Sequence, residues 1–187
     1  MNELYWYASR ATGLAATVLL TGVLVLGLVS PARHRPHGPS QTVVAATHRS
    51  LALGTSAFLL VHVVTAVADS YVPLTWLDAV VPFVSGYERA ATGLGTLAVD
   101  LLVAVVVTSL LRHRLPERAW RAVHLTAYLL WPVAIVHSIA LGTADQPLLR
   151  GTSIACAAVG LGAVAWRAVT VTPDERARAA VAAKEWA

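Results

Sequence analysis

Four histidines lie inside apolar stretches of the chain, two in each of two stretches. His48 and His62 stand fourteen residues apart in HRSLALGTSAFLLVH, and His124 and His137 thirteen apart in HLTAYLLWPVAIVH. Neutral imidazole is a transition-metal ligand, and an ionisable group within a membrane span is a functional candidate by default. At the rise of an α-helix both spacings cover roughly 20 Å, so each stretch carries one histidine near either end. Both stretches run from the inner to the outer side, which makes them parallel. His48 is then level with His124, and His62 with His137. Two level histidines on facing helices hold an iron between them, above and below a porphyrin. Two such pairs make two stacked haems, a wire across the bilayer. With both axial positions filled by protein, such irons pass electrons rather than bind gas.

Rotation constrains the same four residues. Fourteen residues are roughly 3.9 turns, so His48 and His62 share a face, whereas thirteen are roughly 3.6 turns and leave His124 and His137 pointing apart on a straight helix. Pro132 lies between the second pair and removes a backbone hydrogen bond. A kink or local rewinding there brings the two rings back toward one partner helix.

The elements that carry these residues follow from composition. Of 187 residues, 57% are hydrophobic and 13% charged, and the mean hydropathy is +0.64. So much apolar surface cannot be buried in a soluble core of this size, and disorder is excluded. The chain reads as an all-α integral membrane bundle. Five stretches approach the roughly 20 apolar residues that a spanning helix needs: Ala11–Val29, Val43–Ala68, Leu94–Leu111, Val123–Leu141 and Leu148–Val171. Short polar turns join them, at Pro31–Ser40, Arg112–Arg121 and Gly142–Pro147. The one long connection, Ser70–Thr92, is apolar but broken by prolines, and is expected to lie along the outer interface or re-enter it. Thr172, Pro173 and Glu175 form a helix-start signature, so Thr172–Ala187 is expected as a short surface helix. The division is then 1–171 for the haem-binding membrane domain and 172–187 for a cytoplasmic tail helix.

Lone Cys156 excludes a disulfide framework, a CxxCH haem attachment and a cysteine zinc site. The net charge of +4 comes with no aromatic–basic interleaving, so no nucleic-acid partner is expected. The basic residues are asymmetric instead. Arg33, Arg35, Arg49, Arg112, Arg114, Arg118, Arg121, Arg167, Arg176, Arg178 and Lys184 fall on one side, and only Arg10, Arg89 and Arg150 on the other. Eleven against three puts the N-terminus outside and the C-terminus in the cytoplasm of a plasma membrane. The arginine-rich basic set hints at a GC-rich genome, which suits a bacterial source. The first segment is read as an uncleaved helix, because Met1–Arg10 lacks a basic start and holds Tyr5, Trp6 and Tyr7.

Other residues take second places. Arg10 and Arg49 lie near the outer and inner histidine levels and suit haem propionates, or are ordinary face charges. Trp131 stands seven residues from His124 and six from His137, at mid-depth, as a bridge between haems or a packing residue. Asp100 lies within the third span, to pair with a polar group, relay protons or face a haem edge. Gly13, Gly22, Gly54 and Gly160 permit close approach of a helix or a porphyrin. His34, His37 and His113 read as solvated turn residues.

The paired spacing of fourteen and thirteen resembles the ferric reductase-like transmembrane domain. That superfamily includes ferric reductases, NADPH oxidases and the haem-binding membrane subunit of periplasmic methionine sulfoxide reductase systems. YWYASRATGL and WLDAVVPFVSGY are similar to short actinobacterial members. The resemblance covers roughly Tyr5 to Val171. It implies two b-type haems, the inner held by His48 and His124 and the outer by His62 and His137. It implies electron transfer from a cytoplasmic or membrane donor to an outer-face acceptor such as ferric iron or a partner enzyme. Members commonly have six helices and many carry a flavin and nicotinamide domain, whereas this chain has five spans. TGLGT at 92–96 follows no strand and lacks the third glycine of a dinucleotide loop. The implied donor is a separate reductase, a reduced flavin or a quinol. A haem-free transporter or metal-ion carrier is the competing class.

Overall fold

The computed structural model describes residues 3–29, 39–142 and 146–170. His34, His37 and the expected tail helix Thr172–Ala187 lie outside the described residues. Every regular element described is helical: α1 (Glu3–Val29), α2 (Pro39–Ala68), α3 (Arg89–Leu110), α4 (Glu117–Leu125), α5 (Ala127–Leu141) and α6 (Pro147–Thr170), with a short 3-10 turn at Arg112–Arg114. Five spans are long and apolar enough to cross a membrane: α1, α2, α3, α4 with α5, and α6. The chain is a multi-pass membrane protein. Lipid offers backbone groups no hydrogen bonds, so helices that satisfy themselves are the stable choice. Hydroxyl side chains follow the same rule, with Thr17 on the Gly13 carbonyl, Thr21 on Thr17, Thr55 on Leu51 and Ser56 on Ala52.

All five spans start earlier than the apolar stretches suggest, the sixth helix by a single residue. α1 takes in Tyr5, Trp6 and Tyr7, and the fourth span begins at Glu117. The rewinding expected at Pro132 is found elsewhere. Pro132 sits inside an unbroken α5, and the irregularity falls at Thr126 between α4 and α5. There the Thr126 N–H bonds the Val123 carbonyl at 3.0 Å, the Leu129 N–H bonds the Thr126 carbonyl at 2.9 Å, and the Thr126 hydroxyl bonds Val123 at 2.7 Å. Three-residue turns rotate the chain further per residue than an α-helix, the sense needed to swing His124 toward the face of His137.

The bundle is built from two helix pairs, α1 with α2 and α3 with α5, with α6 packed against α1 and α5. α2 and α5, which carry three of the four intramembrane histidines, make at most slight contact with each other. α1 closes on α5 around a core of Leu24, Leu28, Trp131, Ile135 and Cys156, and α3 on α5 around Ala98, Leu102 and Leu130. Trp131, 5% exposed, donates its indole N–H to Thr21 at 3.1 Å and lies over Gly160, where any larger residue would meet its ring.

The connection 69–88 contains no helix and carries exposed Tyr71, Trp76, Leu77, Val80 and Phe83. It is fastened from below. The Asp78 carboxylate accepts from the Thr75 N–H and hydroxyl at 2.7 and 2.8 Å, and Thr96 of α3 donates to the Asp78 carbonyl at 2.6 Å. Phe83, with φ 65°, presses its ring against Gly93 of α3.

Candidate functional site

The structure brings the four histidines together in two pairs. The rings of His48 and His124 lie 6.4 Å apart between centroids, with 57° between their planes. Those of His62 and His137 lie 6.3 Å apart at 80°. These separations have a chemical meaning. An imidazole centroid is about 1.1 Å from its nitrogens and a metal–imidazole bond is about 2.0 Å, so two imidazoles on opposite sides of one metal would have centroids about 6.2 Å apart. Among the described residues no group of three or more His, Cys, Asp or Glu is placed to hold a metal. Each pair could offer a metal at most two protein ligands, and a metal held there would need its others from a cofactor.

Backbone carbonyls fix the tautomer of three rings. His62 Nδ1 lies 2.7 Å from the Ser9 carbonyl, His137 Nδ1 2.8 Å from that of Ala91, and His48 Nδ1 3.1 Å from that of Val23. A carbonyl only accepts, so Nδ1 carries the proton and Nε2 keeps its lone pair for a metal. The Ser9 hydroxyl, 3.3 Å away, adds a second contact to His62. The fourth ring differs: His124 Nδ1 is buried and has no hydrogen-bond partner. His124 is held by stacking instead, against Trp120 at 4.9 Å and 21°, and Arg112 stands 4.3 Å over the same indole.

A cavity of about 250 Å³ opens beside His62 and His137. Ser9, Arg10 and Gly13 of α1, Gly95 and Thr96 of α3, and Asp69, Thr75 and Asp78 of the connection are part of its wall. Arg10 is stacked over Trp6 at 4.4 Å and donates to Gln146 at 3.2 Å. Arg49 is exposed on α2, one residue from His48. Trp131 faces α1 and α6, as described above. Asp100 is exposed on α3 and does not line the cavity. His113 lies in the exposed turn between α3 and α4. Nothing in residue type or spacing singles out Ser9, Gly27, Gly95 or the stacking of Trp120 on His124. Gly95 was visible only as part of TGLGT, and its role needs the partner helix.

The family described as ferric reductase like transmembrane component matches residues 12–135, two thirds of the chain. The chain belongs to the ferric reductase-like transmembrane family. No curated protein and no solved structure matches it. Ferric reductase-like domains generally bind haem, and the family points to transmembrane electron transfer. The matched segment contains His48, His62 and His124, and His137 lies two residues beyond it. The donor set of this ferric reductase-like chain fits haem on three counts. Its rings stand at the separation that one iron requires, and three have Nε2 free for it. The helices bearing the two sides of each pair also make at most slight contact, and beside His62 and His137 a cavity opens between them.

Proposed function

We propose that the chain carries electrons across the membrane through two b-type haems, one held by His48 and His124 and the other by His62 and His137. The observation that carries this reading is the pair of ring separations, 6.4 and 6.3 Å, at two levels of one bundle. Haem supplies a one-electron carrier whose potential is set by its axial ligands and their surroundings. The chain's own residues do the rest. The carbonyls of Ser9, Ala91 and Val23 orient the imidazoles, the apolar faces of α1, α3 and α5 keep water from the bundle interior, and the 69–88 connection roofs the cavity at the His62 end. Arg10 and Arg49 are the cations for propionate carboxylates at the two levels. Trp131 belongs to the depth between them.

Eleven of the fourteen Lys and Arg residues support an orientation with the His48 end facing the cytoplasm of a bacterial plasma membrane and the His62 end outside. In that orientation residues 1–171 form the haem-binding domain and 172–187 a cytoplasmic tail. The donor is a separate reductase, reduced flavin or quinol at the His48 end. The acceptor at the other end is ferric iron or a partner enzyme.

Pyridine haemochrome analysis of the purified protein tests the reading. Two haems b per chain are expected, with low-spin bands in the reduced-minus-oxidised spectrum. Protein produced with ample haem that contains none sinks it and leaves the transporter class.

A further inference from the structure

Three of the four histidines share a local pattern. Each carbonyl that receives an imidazole N–H has a glycine one helical turn further on: Ser9 and Gly13 for His62, Val23 and Gly27 for His48, Ala91 and Gly95 for His137. A helical side chain leans back over the turn before it, so the residue at i+4 covers the carbonyl of residue i. With glycine there, the carbonyl's second lone pair is open to a ring from the neighbouring helix. The contacts are close. A Cβ on Gly13 would stand 2.8 Å from His62 Nδ1, and one on Gly95 would overlap the His137 ring. A Cβ on Gly27 would meet His48 at an ordinary 3.7 Å, in keeping with the longest of the three bonds.

The fourth position breaks the pattern. Going from Ser9 to Val23 is fourteen residues, and so is going from His62 to His48 on the antiparallel partner. Thirteen residues separate His137 from His124, and thirteen beyond Ala91 on α3 is Ala104. Its i+4 residue is Thr108, whose hydroxyl bonds the Ala104 carbonyl at 2.7 Å and the Val105 carbonyl at 3.2 Å. By this register Ala104 is the carbonyl that would receive His124, and there the Thr108 hydroxyl competes for it at 2.7 Å, closer than the 3.2 Å at which Thr12 shares the Ser9 carbonyl with His62.

We infer that Gly13, Gly27 and Gly95 are positioning residues that open backbone cradles for the imidazoles, that Thr108 closes the fourth cradle, and that the two haem sites are thereby built unequal. This rests on the haem reading above. An N–H donated to a carbonyl makes the other ring nitrogen a stronger electron donor and so favours ferric iron. The His62/His137 site has two such rings, with bonds of 2.7 and 2.8 Å. The His48/His124 site has one, at 3.1 Å, and one orphan.

Two measurements decide the matter. In a spectroelectrochemical titration, Gly95→Ala pushes the His137 ring off the Ala91 carbonyl. It is expected to raise the midpoint of the His62/His137 haem, a tenfold change in its ferric-to-ferrous ratio reading as ~59 mV. The other midpoint stays in place. Thr108→Gly is expected to lower the His48/His124 midpoint alone. Equal movement of both midpoints in Gly95→Ala, or no movement in either variant, overturns the inference. Should Gly95→Ala fail to retain haem, 15N-histidine NMR of the haem-free protein in detergent decides. Once the signals of His34, His37 and His113 are assigned by substitution, the four intramembrane histidines are expected to give three strongly hydrogen-bonded Nδ1 protons and one weak one, the weak one vanishing in His124→Ala. Equivalent Nδ1 protons on all four intramembrane histidines overturn it. A protein without haem but with the three-plus-one pattern refutes the electron-transfer reading while leaving the cradles standing.

Discussion

The indole of Trp120 lies face to face with the imidazole of His124, 4.9 Å apart and 21° from parallel, on the one intramembrane histidine whose Nδ1 has no hydrogen-bond partner among the described residues. Stacking orients this ring, as a backbone carbonyl orients the other three intramembrane rings, but leaves its Nδ1 unpaired. Trp120 is half-exposed and Arg112 covers its ring at 4.3 Å, so the His48 end of the bundle has an aromatic path from solvent to His124.

Replacing that indole loosens the His48/His124 site first. A stacked aromatic pair contributes about 0.5–1.5 kcal/mol, so Trp120→Leu is expected to weaken haem retention there about two- to tenfold. Haem transfer to excess apomyoglobin measures it, with the His62/His137 haem lost at its original rate.

The pairing can be read by deletion. His48→Ala and His124→Ala are expected to remove the same redox component, and His62→Ala and His137→Ala the other. A titration in which His48→Ala and His137→Ala remove one shared component contradicts the ring pairs found here.

Gly160 and Trp131 form a separate structural test. A methyl group on Gly160 runs into the Trp131 ring, and overpacking of this kind costs about 1–3 kcal/mol. Gly160→Ala is expected to lower the detergent melting temperature. Trp131→Phe loses the bond to Thr21, which in membrane proteins is worth about 0.6 kcal/mol. Because the smaller ring makes room for the methyl, the double variant is expected to be more stable than the sum of the two losses.

The connection 69–88 is expected to control access to the His62 end. Thr96→Val removes the 2.6 Å bond that fastens Asp78 to α3, at a cost of about 1 kcal/mol. Reoxidation of the His62/His137 haem by a soluble ferric chelate is expected to quicken, with the midpoint of the other haem unchanged. Unaltered chelate kinetics mark the segment as a plain connector.

Orientation has its own check. A C-terminal alkaline phosphatase fusion is expected to stay inactive, because eleven of fourteen basic residues flank that side. An active fusion reverses the direction of electron flow argued above.

The membrane class, the five spans and the four histidines were legible in the sequence. Lipid imposes a length and an apolar composition on each span, and an imidazole within one stands out against that background. Depth was legible too, because rise per residue is fixed, and it paired His62 with His137 without coordinates. Rotation was not. Whether His124 and His137 share a face depends on a few turns of irregular winding, and proline marked the wrong place for it. Thr126, an unremarkable residue in sequence, carries the tightened turn. Nor did the sequence tell which glycines matter. Gly95 looked like part of a broken nucleotide loop and Gly27 like any glycine in a span. Their value lies in which carbonyl each uncovers, and in the ring from another helix that reaches it. That relation joins residues up to 53 positions apart, and only packing the helices decides it.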